Sequence, residues 1–521
     1  MILKKDNLLV IFFIFLLSLL SVLKYWSLHS SLADLGFLTR SMQAIELGGF
    51  QELFSVHAKP LLIFYYGLYS LLDPPLFNVV VLCFQAIFLA MPAYYLLKKF
   101  GRLTVLAYIL FFPLWFNALF DFHLDHLSVP LLLTFFLFAH SGRIGFAFIF
   151  AITLALVKEP FALQTGMCGI YLLAINLKSG LNLKLYLYSF GLIIFGFGYF
   201  FVINQLIIPL YSNEIDFSIG LQSEAFAYLG ANFGEAILYL FTNPLQIIVD
   251  ILYTPGKIIY LVALFGALGF ISLLKPAPLL IALPILAISL LSQNESYYGL
   301  GHHYTAGLIA PMIFSFIGGL PKANYFWNRA GLVWYRLTRL TLPIPCFKLF
   351  LVMWLILAHI ALAPSPIGRL FWSDKIWAYS YKAYIPSKRD TMIKEAITKF
   401  IPTDSDVVTS VQNNINWWPL LQRHHFFLFP QGVSEAQRAP FFEKKLWITK
   451  VSWRPLTADF VVLDLKRPWF LVDKGCNWLY GKCEDKKNAK EYLRWVDKTR
   501  KLMEIVFEKD GFIILKKRDE K

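Results

Sequence analysis

The densest group of residues able to do chemistry is Asp121-Phe122-His123-Leu124-Asp125-His126, which separates two apolar runs. Carboxylates and imidazoles exchange protons and also bind divalent cations. We therefore predict catalytic roles for Asp121 and His123. We also name Asp121, His123, Asp125 and His126 as candidate ligands of a Mg²⁺ or Mn²⁺ ion. The spacing is not diagnostic of a metal site, and a hydrogen-bonded turn is the alternative interpretation.

Two further catalytic candidates follow the first apolar run of the chain. Asp34, in Ala33-Asp34-Leu35-Gly36, is placed to accept a proton from a sugar or lipid hydroxyl, or to ligate a cation. Its alternative role is to cap the amphipathic stretch 37–47. His57, shortly before Pro60, is a candidate for positioning a phosphate or sharing a proton. A solvated histidine at the membrane surface is the alternative there.

The remaining candidates are basic or aromatic residues suited to binding the phosphate of a donor. Lys158 and Glu159 interrupt apolar sequence before Pro160, so that the lysine can neutralise a phosphate while the glutamate holds it in place. The alternative is a mutual ion pair at a helix end. His302, His303 and Tyr304 follow a polar stretch and can stabilise a departing phosphate, or simply hydrogen-bond to the first helical turn.

The composition shows what kind of protein must position these residues. Of 521 residues, 58% are hydrophobic and only 16% are charged, and the mean hydropathy is +0.58. These are too few charges to cover a water-soluble surface, and 50 Phe exclude a disordered chain. A polytopic α-helical membrane protein is predicted. Its eleven apolar runs are 8–23, 76–97, 103–120, 127–140, 144–157, 161–177, 185–210, 257–274, 277–292, 304–320 and 347–363.

Lysine and arginine placement sets the predicted orientation. The segment 60–72 is short for a crossing and is predicted to be a half-helix, because this keeps Lys98, Lys99, Arg102, Arg143 and the loop 322–348 on the cytoplasmic side. The N-terminus is then cytoplasmic in the cell membrane. The loops with the candidate acids and histidines all face the extracytoplasmic side, where ionisable groups at membrane depth suggest a functional site.

After residue 363 the composition changes, and we predict two domains, 1–363 in the membrane and 364–521 as an extracytoplasmic α/β domain. The second has helices at 389–400 and 485–501, strands at 407–410, 426–429 and 458–465, and a hairpin of 502–507 with 512–516. Its 29 Lys and Arg against 19 Asp and Glu give +10, which favours contact with anionic lipids and not with nucleic acid. Cys476 and Cys483 are predicted to form a local disulfide.

Several short stretches resemble a family of prokaryotic membrane proteins catalogued as domain of unknown function 2079. This family is similar to the GT-C glycosyltransferases, integral enzymes that use polyprenyl-phosphate sugars at the outer membrane face and keep an acidic residue in the first external loop. Asp34 and Asp121 match such acids by position, although the first loop lacks the plain Asp-Asp or Asp-Glu pair of better-known members. The matching stretches are Asp34-x-Gly36, His57 before Pro60, Gln85, Asp121-Phe122-His123, Lys158-Glu159, His303-Tyr304 and 458–464.

The resemblance implies an enzyme that moves a sugar from a polyprenyl-phosphate donor to an envelope acceptor. Asp34 is then the general base, Lys158 and His303 stabilise the phosphate leaving group, and His57 or the 121–126 cluster positions the donor or a cation. A transporter or flippase of lipid-linked intermediates and a non-enzymatic envelope scaffold are the alternatives. No internal repeat supports the transporter. The sequence gives no oligomeric state.

Overall fold

A computed structural model of the chain describes residues 5–46, 48–54, 57–176, 183–211, 225–230, 233–338, 347–373, 379–402, 407–417, 420, 426–430, 432–433, 458–467 and 486–518. Most of these residues are helical, because long runs of Leu, Phe, Ile and Ala can satisfy every backbone polar group within one segment. The α-helices are α1 Lys5–Trp26, α2 Phe37–Glu46, α3 Leu62–Tyr69, α4 Pro74–Ala90, α5 Pro92–Phe100, α6 Arg102–Leu110, α7 Phe112–Leu119, α8 Ser128–His140, α9 Ile144–Ala155, α10 Glu159–Asn176, α11 Leu183–Val202, α12 Ile208–Tyr211, α13 Phe233–Thr242, α14 Pro244–Leu252, α15 Pro255–Ala267, α16 Leu283–Leu291, α17 Ala306–Thr338, α18 Phe347–Leu362, α19 Lys388–Phe400 and α20 Lys486–Leu502.

The helices agree with a multi-pass membrane protein. Each of the eleven predicted apolar runs coincides with a helix or with two successive helices. Within the ranges given above, four helices are long and apolar enough to cross a bilayer alone, and two bent pairs raise this number to as many as six. Five more apolar helices have only 10–17 residues. The total of eleven spans therefore stays a prediction.

The segment 60–72, which is predicted to be a half-helix, contains α3, a helix of only eight residues. At a rise of about 1.5 Å per residue it is ~12 Å long, far less than the ~30 Å hydrocarbon core of a bilayer. Its length fits the predicted half-helix. The apolar run 103–120 also departs from a straight helix, because α6 and α7 meet at a 52° bend.

Two regions that the sequence analysis assigns to loops contain helices. α17 continues to Thr338, so the first part of the loop predicted at 322–348 is helical. The external loop predicted at 211–256 contains α13 and α14, which are bent by 82° against each other. Both are too short to cross a bilayer singly, and they expose large apolar side chains such as Phe241 and Leu245.

The described residues of the C-terminal part form a five-stranded sheet. Its strands are β1 Thr409–Val411, β2 Phe426–Leu428, β3 Phe460–Asp464, β4 Met503–Lys509 and β5 Phe512–Lys517. They lie in the order β2-β1-β3-β5-β4; β1 pairs in parallel with β2 and β3, whereas β5 is antiparallel to β3 and β4. Asp510 and Gly511 both have positive φ, as a tight hairpin turn requires, and the predicted hairpin is confirmed.

The predicted domain boundary and the predicted disulfide both stay predictions. The boundary at 363/364 falls directly after α18 and remains a prediction. Cys476 and Cys483 lie outside the described residues, so the disulfide is also untested. Cys83 and Cys168 are free thiols, and Cys168 is fully buried, in agreement with a packing role.

The first loop lies between α1 and α3 and contains α2. Its beginning packs against the C-terminal part. Leu28 and Leu32 are 1% and 0% exposed and pack in the same apolar core as Ile393 of α19 and Phe460 of β3. The first loop and the sheet therefore lie at the same end of the helical bundle.

Candidate functional site

Side chains from four separate loops meet at one end of the bundle. The loops follow α1 and precede α8, α10 and α17, and all four were predicted to share one side of the membrane. Their contacts agree with a shared side, while which side faces the cytoplasm stays a prediction. Three pairs of atoms join the loops: Asp34 Oδ1 and His123 Nε2 at 3.1 Å, His57 Nδ1 and Glu159 Oε1 at 2.5 Å, and His303 Nε2 and Asp125 Oδ2 at 3.6 Å.

Asp34 lies in a π-helical turn, Leu32–Gly36, between α1 and α2. Its side chain is 21% exposed and thus remains open to a bound molecule. Burial raises the pKa of the Asp34 carboxyl, but the neighbouring His123 and the hydrogen bond from Ser31 outweigh burial, and the net pKa is lowered. Asp34 is therefore an ionised, partly open carboxylate, which is the state that a general base requires.

His123 contacts Asp34 and also stacks on His303, which lies in the loop before α17 (the fourth loop). Its ring lies 3.4 Å from that of His303 between centroids, with an interplanar angle of 12°. The Phe120 ring lies within 5.4 Å of both imidazoles and forms an apolar wall beside them. His123 Nε2 is near Asp34 but is not aligned for a hydrogen bond within the described part of the chain. His123 thus connects the acid of the first loop to the histidine before α17.

Lys158 is connected to His303 through Asp125: its ammonium lies 4.0 Å from Asp125 Oδ1, and His303 Nε2 lies 3.6 Å from Asp125 Oδ2. Burial lowers the pKa of Lys158, but Asp125 and Glu159 raise it by more, so the net pKa lies above its ordinary value and the ammonium stays charged. Burial and then the charge of Lys158 lower the pKa of Lys59. Lys158 therefore supplies the positive charge on this side of the site, and Lys59 lies close enough to interact with it electrostatically.

Glu159 and His57 form a tight pair at the start of α10. Burial raises the pKa of Glu159, yet His57 and Lys158 lower it by more, so the carboxylate is ionised. Burial lowers the pKa of His57 more than Glu159 raises it. Glu159 Oε2 is buried without a hydrogen-bond partner among the described residues. This pair connects the segment before α3 to the start of α10, and the role of Glu159 in holding Lys158 in place stays a prediction.

Asp121 occupies a supporting position and not an open one. Its two carboxylate oxygens accept hydrogen bonds from Ser30 Oγ and from the Ser31 backbone N–H, each at 2.5 Å. Burial raises the pKa of Asp121 to about 6, against the opposing charge of Lys24. Because both oxygens are engaged, this geometry favours a role in holding the first loop in place, although the predicted catalytic role of Asp121 is not tested.

The four candidate metal ligands point in different directions. The His126 ring bonds the His123 carbonyl oxygen through Nδ1 and faces Tyr65 through Nε2 at 3.4 Å, away from Asp121. In the ranges that the structure describes, no group of three or more His, Cys, Asp and Glu side chains could hold a metal ion. Use of Mg²⁺ or Mn²⁺ stays a prediction.

The other two candidates in the fourth loop line the site. Tyr304 stacks on Tyr297 with ring centroids 4.5 Å apart and lies 4.3 Å from the His303 ring. His302 lies 5.4 Å from the Phe120 ring, and burial lowers its pKa to about 4. Both residues therefore border the imidazole stack and contribute aromatic or neutral surface.

Gln85, within α4, hydrogen-bonds to the backbone of the loop before α8. Its position in the sequence gives little indication of this role. Its amide nitrogen donates to the backbone oxygens of Asn117 and Asp121 at 3.1 and 2.8 Å, and its oxygen accepts from the His123 N–H at 3.1 Å. A lone amide within an apolar run is the signal that could have revealed it. Lys24, whose ammonium binds the carbonyl oxygens of Leu119 and Phe120, gave a similar signal.

Gln85→Leu is expected to destabilise the protein by about 1–3 kcal/mol, because it leaves buried backbone groups of residues 117–123 without partners. Thermal unfolding in detergent would measure the loss. Gln164→Leu is the matched control, since Gln164 is a buried amide that binds Ile281 and Gly307 away from the site. We expect the two variants to be destabilised to a similar extent. Only Gln85→Leu is expected to lose function as well. An unchanged melting temperature for Gln85→Leu would contradict the proposal that Gln85 stabilises the backbone of residues 117–123.

Comparison with known proteins places the chain in a family. No curated protein matches it. Among solved structures it is similar to ArnT from Cupriavidus metallidurans, bound to undecaprenyl phosphate, with 12% sequence identity over 98% of each chain and a TM-score of 0.40. The model of the family described as "Predicted membrane protein (DUF2079)" matches residues 24–414, which include all the candidate site residues. The chain belongs to this DUF2079 family of predicted membrane proteins.

Proposed function

We propose that the protein is an integral-membrane glycosyltransferase that moves a sugar from a polyprenyl-phosphate donor to a hydroxyl acceptor. The observation that carries the proposal is a continuous row of contacting residues, in the order Asp34, His123, His303, Asp125 and Lys158. It combines an ionised carboxylate at one end with a charged ammonium at the other. A base and an anion-binding group at membrane depth are what transfer from a lipid phosphate needs.

In the proposed step the acceptor hydroxyl lies against Asp34. Its oxygen attacks the anomeric carbon of the donor sugar while its proton passes to the Asp34 carboxylate. The bond between the anomeric carbon and the phosphate oxygen breaks, and the electron pair leaves with polyprenyl phosphate. His123 positions Asp34 through the 3.1 Å contact.

The leaving phosphate is assigned to the side of the site that contains Lys158. The Lys158 ammonium offsets the negative charge that grows on the phosphate oxygen, and Lys59 adds to the same potential. His303, stacked between the two halves of the site, can donate a hydrogen bond to that oxygen. Asp125 and Glu159 keep Lys158 charged and in place before the donor arrives.

The family resemblance extends this proposal to a GT-C-like enzyme in the cell membrane. The predicted placement of the basic loops on the cytoplasmic side supports a reaction at the extracytoplasmic face. The donor reaches the site from the surrounding membrane lipids, and the acceptor is a component of the cell envelope.

Mass spectrometry of envelope glycans and lipids from a deletion strain tests this function. Absence of a single sugar, restored by the intact gene, is the expected result, together with accumulation of the polyprenyl-phosphate sugar. Accumulation of one complete lipid-linked intermediate would instead indicate a flippase. An unchanged glycan and lipid profile would favour a scaffold, and both of these results contradict the proposal.

A further inference from the structure

We infer that the C-terminal part is a clamp on the first loop, and that Asn413 and Asn416 are positioning residues for Asp34. The family resemblance and the location of Asp34 do not by themselves assign any role to these asparagines. They follow β1, at the edge of the sheet where the parallel strands β1 and β3 end. Their functional consequence rests on the proposed role of Asp34, whereas the clamp itself does not.

Three hydrogen bonds connect the asparagines to the residues just before Asp34. The Leu32 N–H donates to the Asn413 carbonyl oxygen at 2.6 Å, and Ser31 Oγ donates to Asn413 Oδ1 at 3.1 Å. Asn416 Nδ2 donates to the Ser31 carbonyl oxygen at 3.2 Å. Asn416 is 1% exposed, so water does not replace this bond easily when the amide is removed.

Two basic residues fix the start of the same loop. Lys394 of α19 donates to the Trp26 carbonyl oxygen at 2.5 Å, and Arg467 donates to the Ser27 carbonyl oxygen at 2.9 Å. Arg467 is itself held by Asp390 at 2.5 Å. The C-terminal part therefore holds the backbone of the first loop at both ends of residues 26–32.

Apolar packing makes this connection part of a core and not only a surface contact. Leu28 and Leu32 are fully buried among Ile397, Val411 and Phe512. Without the sheet, these two leucines would be exposed to water beside the membrane. The loop thus has its observed conformation because the C-terminal part covers it.

Ser31 connects the asparagines of the C-terminal part to Asp34. Its carbonyl and hydroxyl bind the asparagines, its N–H donates to Asp121, and its side chain lies close enough to the Asp34 carboxylate to lower the pKa of that group. A shift of Ser31 therefore moves the base relative to His123. Because effective base catalysis depends on sub-ångström placement, loosening Ser31 should lower the rate without removing any group that touches the substrate.

Hydrogen exchange measured by mass spectrometry on the full-length protein tests the clamp directly. Asn416→Ala should raise exchange of the backbone amides of residues 31–36 by about tenfold. Ser31→Ala removes the hydrogen bond between the Ser31 hydroxyl and Asn413 without changing any residue of the sheet. It should also raise the exchange of the backbone amides of residues 31–36. Asn414→Ala is the matched control, because Asn414 Oδ1 binds Gln412 and not the first loop.

Unchanged exchange at residues 31–36 in both Asn416→Ala and Ser31→Ala would overturn the clamp. An equal rise in Asn414→Ala would do the same, since it would indicate general loosening of the sheet. Sugar transfer by Asn416→Ala should fall about tenfold in kcat with an unchanged KM for the donor. Faster exchange with full transfer activity would support the clamp and overturn the role of Asn416 in positioning Asp34.

Discussion

Replacing Asp34 by Asn is expected to lower the rate of sugar transfer by roughly 10²–10⁴-fold, the range typical for loss of a general base. Asparagine retains the size of the side chain and most of its hydrogen bonding, but it cannot accept the proton of the acceptor hydroxyl. The contact with His123 at 3.1 Å can persist, so expression and thermal stability should change little. The transfer rate of purified variants would be measured against the unmodified protein.

Glu46→Gln is the matched control for Asp34→Asn. Glu46 ends α2 in the same first loop, is exposed, and contributes no contact to the site described above. It should retain full activity. Complementation of a deletion strain by Asp34→Asn at normal levels would contradict the base assignment and reduce Asp34 to a structural residue of the π-helical turn.

The pH dependence follows from the same electrostatics. The pKa of Asp34 lies below its ordinary value of 3.8, so the base form is present throughout the neutral range and is lost only as the pH falls through that lowered pKa. Titration of Asp34 should therefore produce no decline in rate between about pH 8 and pH 5.

Replacing Lys158 by Met is expected to lower transfer by about 10²–10³-fold, the usual cost of removing one charge-stabilising group from an active site. The variant leaves Asp125 and Glu159 without their shared cation, and their carboxylates would then repel the donor phosphate. Both a higher KM for the donor and a lower kcat are expected, because the ammonium binds the phosphate and also stabilises its departure. Lys158→Arg should recover part of the loss.

Lys257→Met provides the matched control for Lys158→Met. Lys257 is a buried lysine of α15 whose ammonium lies 5.5 Å from the centre of the Tyr298 ring, outside the row of site residues. It should leave the KM for the donor unchanged. Equal effects of the two substitutions would show that Lys158 acts through general stability and not through the phosphate.

Much of the architecture is predictable from local sequence patterns. The apolar runs locate the helices, and Asp510-Gly511 locates the hairpin, because both signals arise from neighbouring residues. α13 and α14 are not predictable as spans, since each has at most 10 residues and the two are bent sharply against each other. The continuation of α17 to Thr338 was hidden by its polar and basic residues, which resemble a loop in composition.

The site was partly predictable for a related reason. Asp34, His123 and Lys158 stand out as charges between apolar runs, and the structure brings all three into one row. The metal set of Asp121, Asp125 and His126 with His123 does not assemble in the described residues, because adjacency in sequence does not fix the direction of a side chain. Asn416 could not be found from sequence, since its role depends on contact with a loop 385 residues away.

The most direct test of the proposed activity is to follow the donor itself. The purified protein would be reconstituted in lipid vesicles with polyprenyl-phosphate sugars extracted from membranes that contain it, and with an envelope extract as acceptor. Mass spectrometry of the lipids should show conversion of one donor to free polyprenyl phosphate by the unmodified protein, and an intact donor with Asp34→Asn. Intact donor in both reactions, with donor molecules moved from one leaflet to the other by the unmodified protein, would contradict glycosyl transfer.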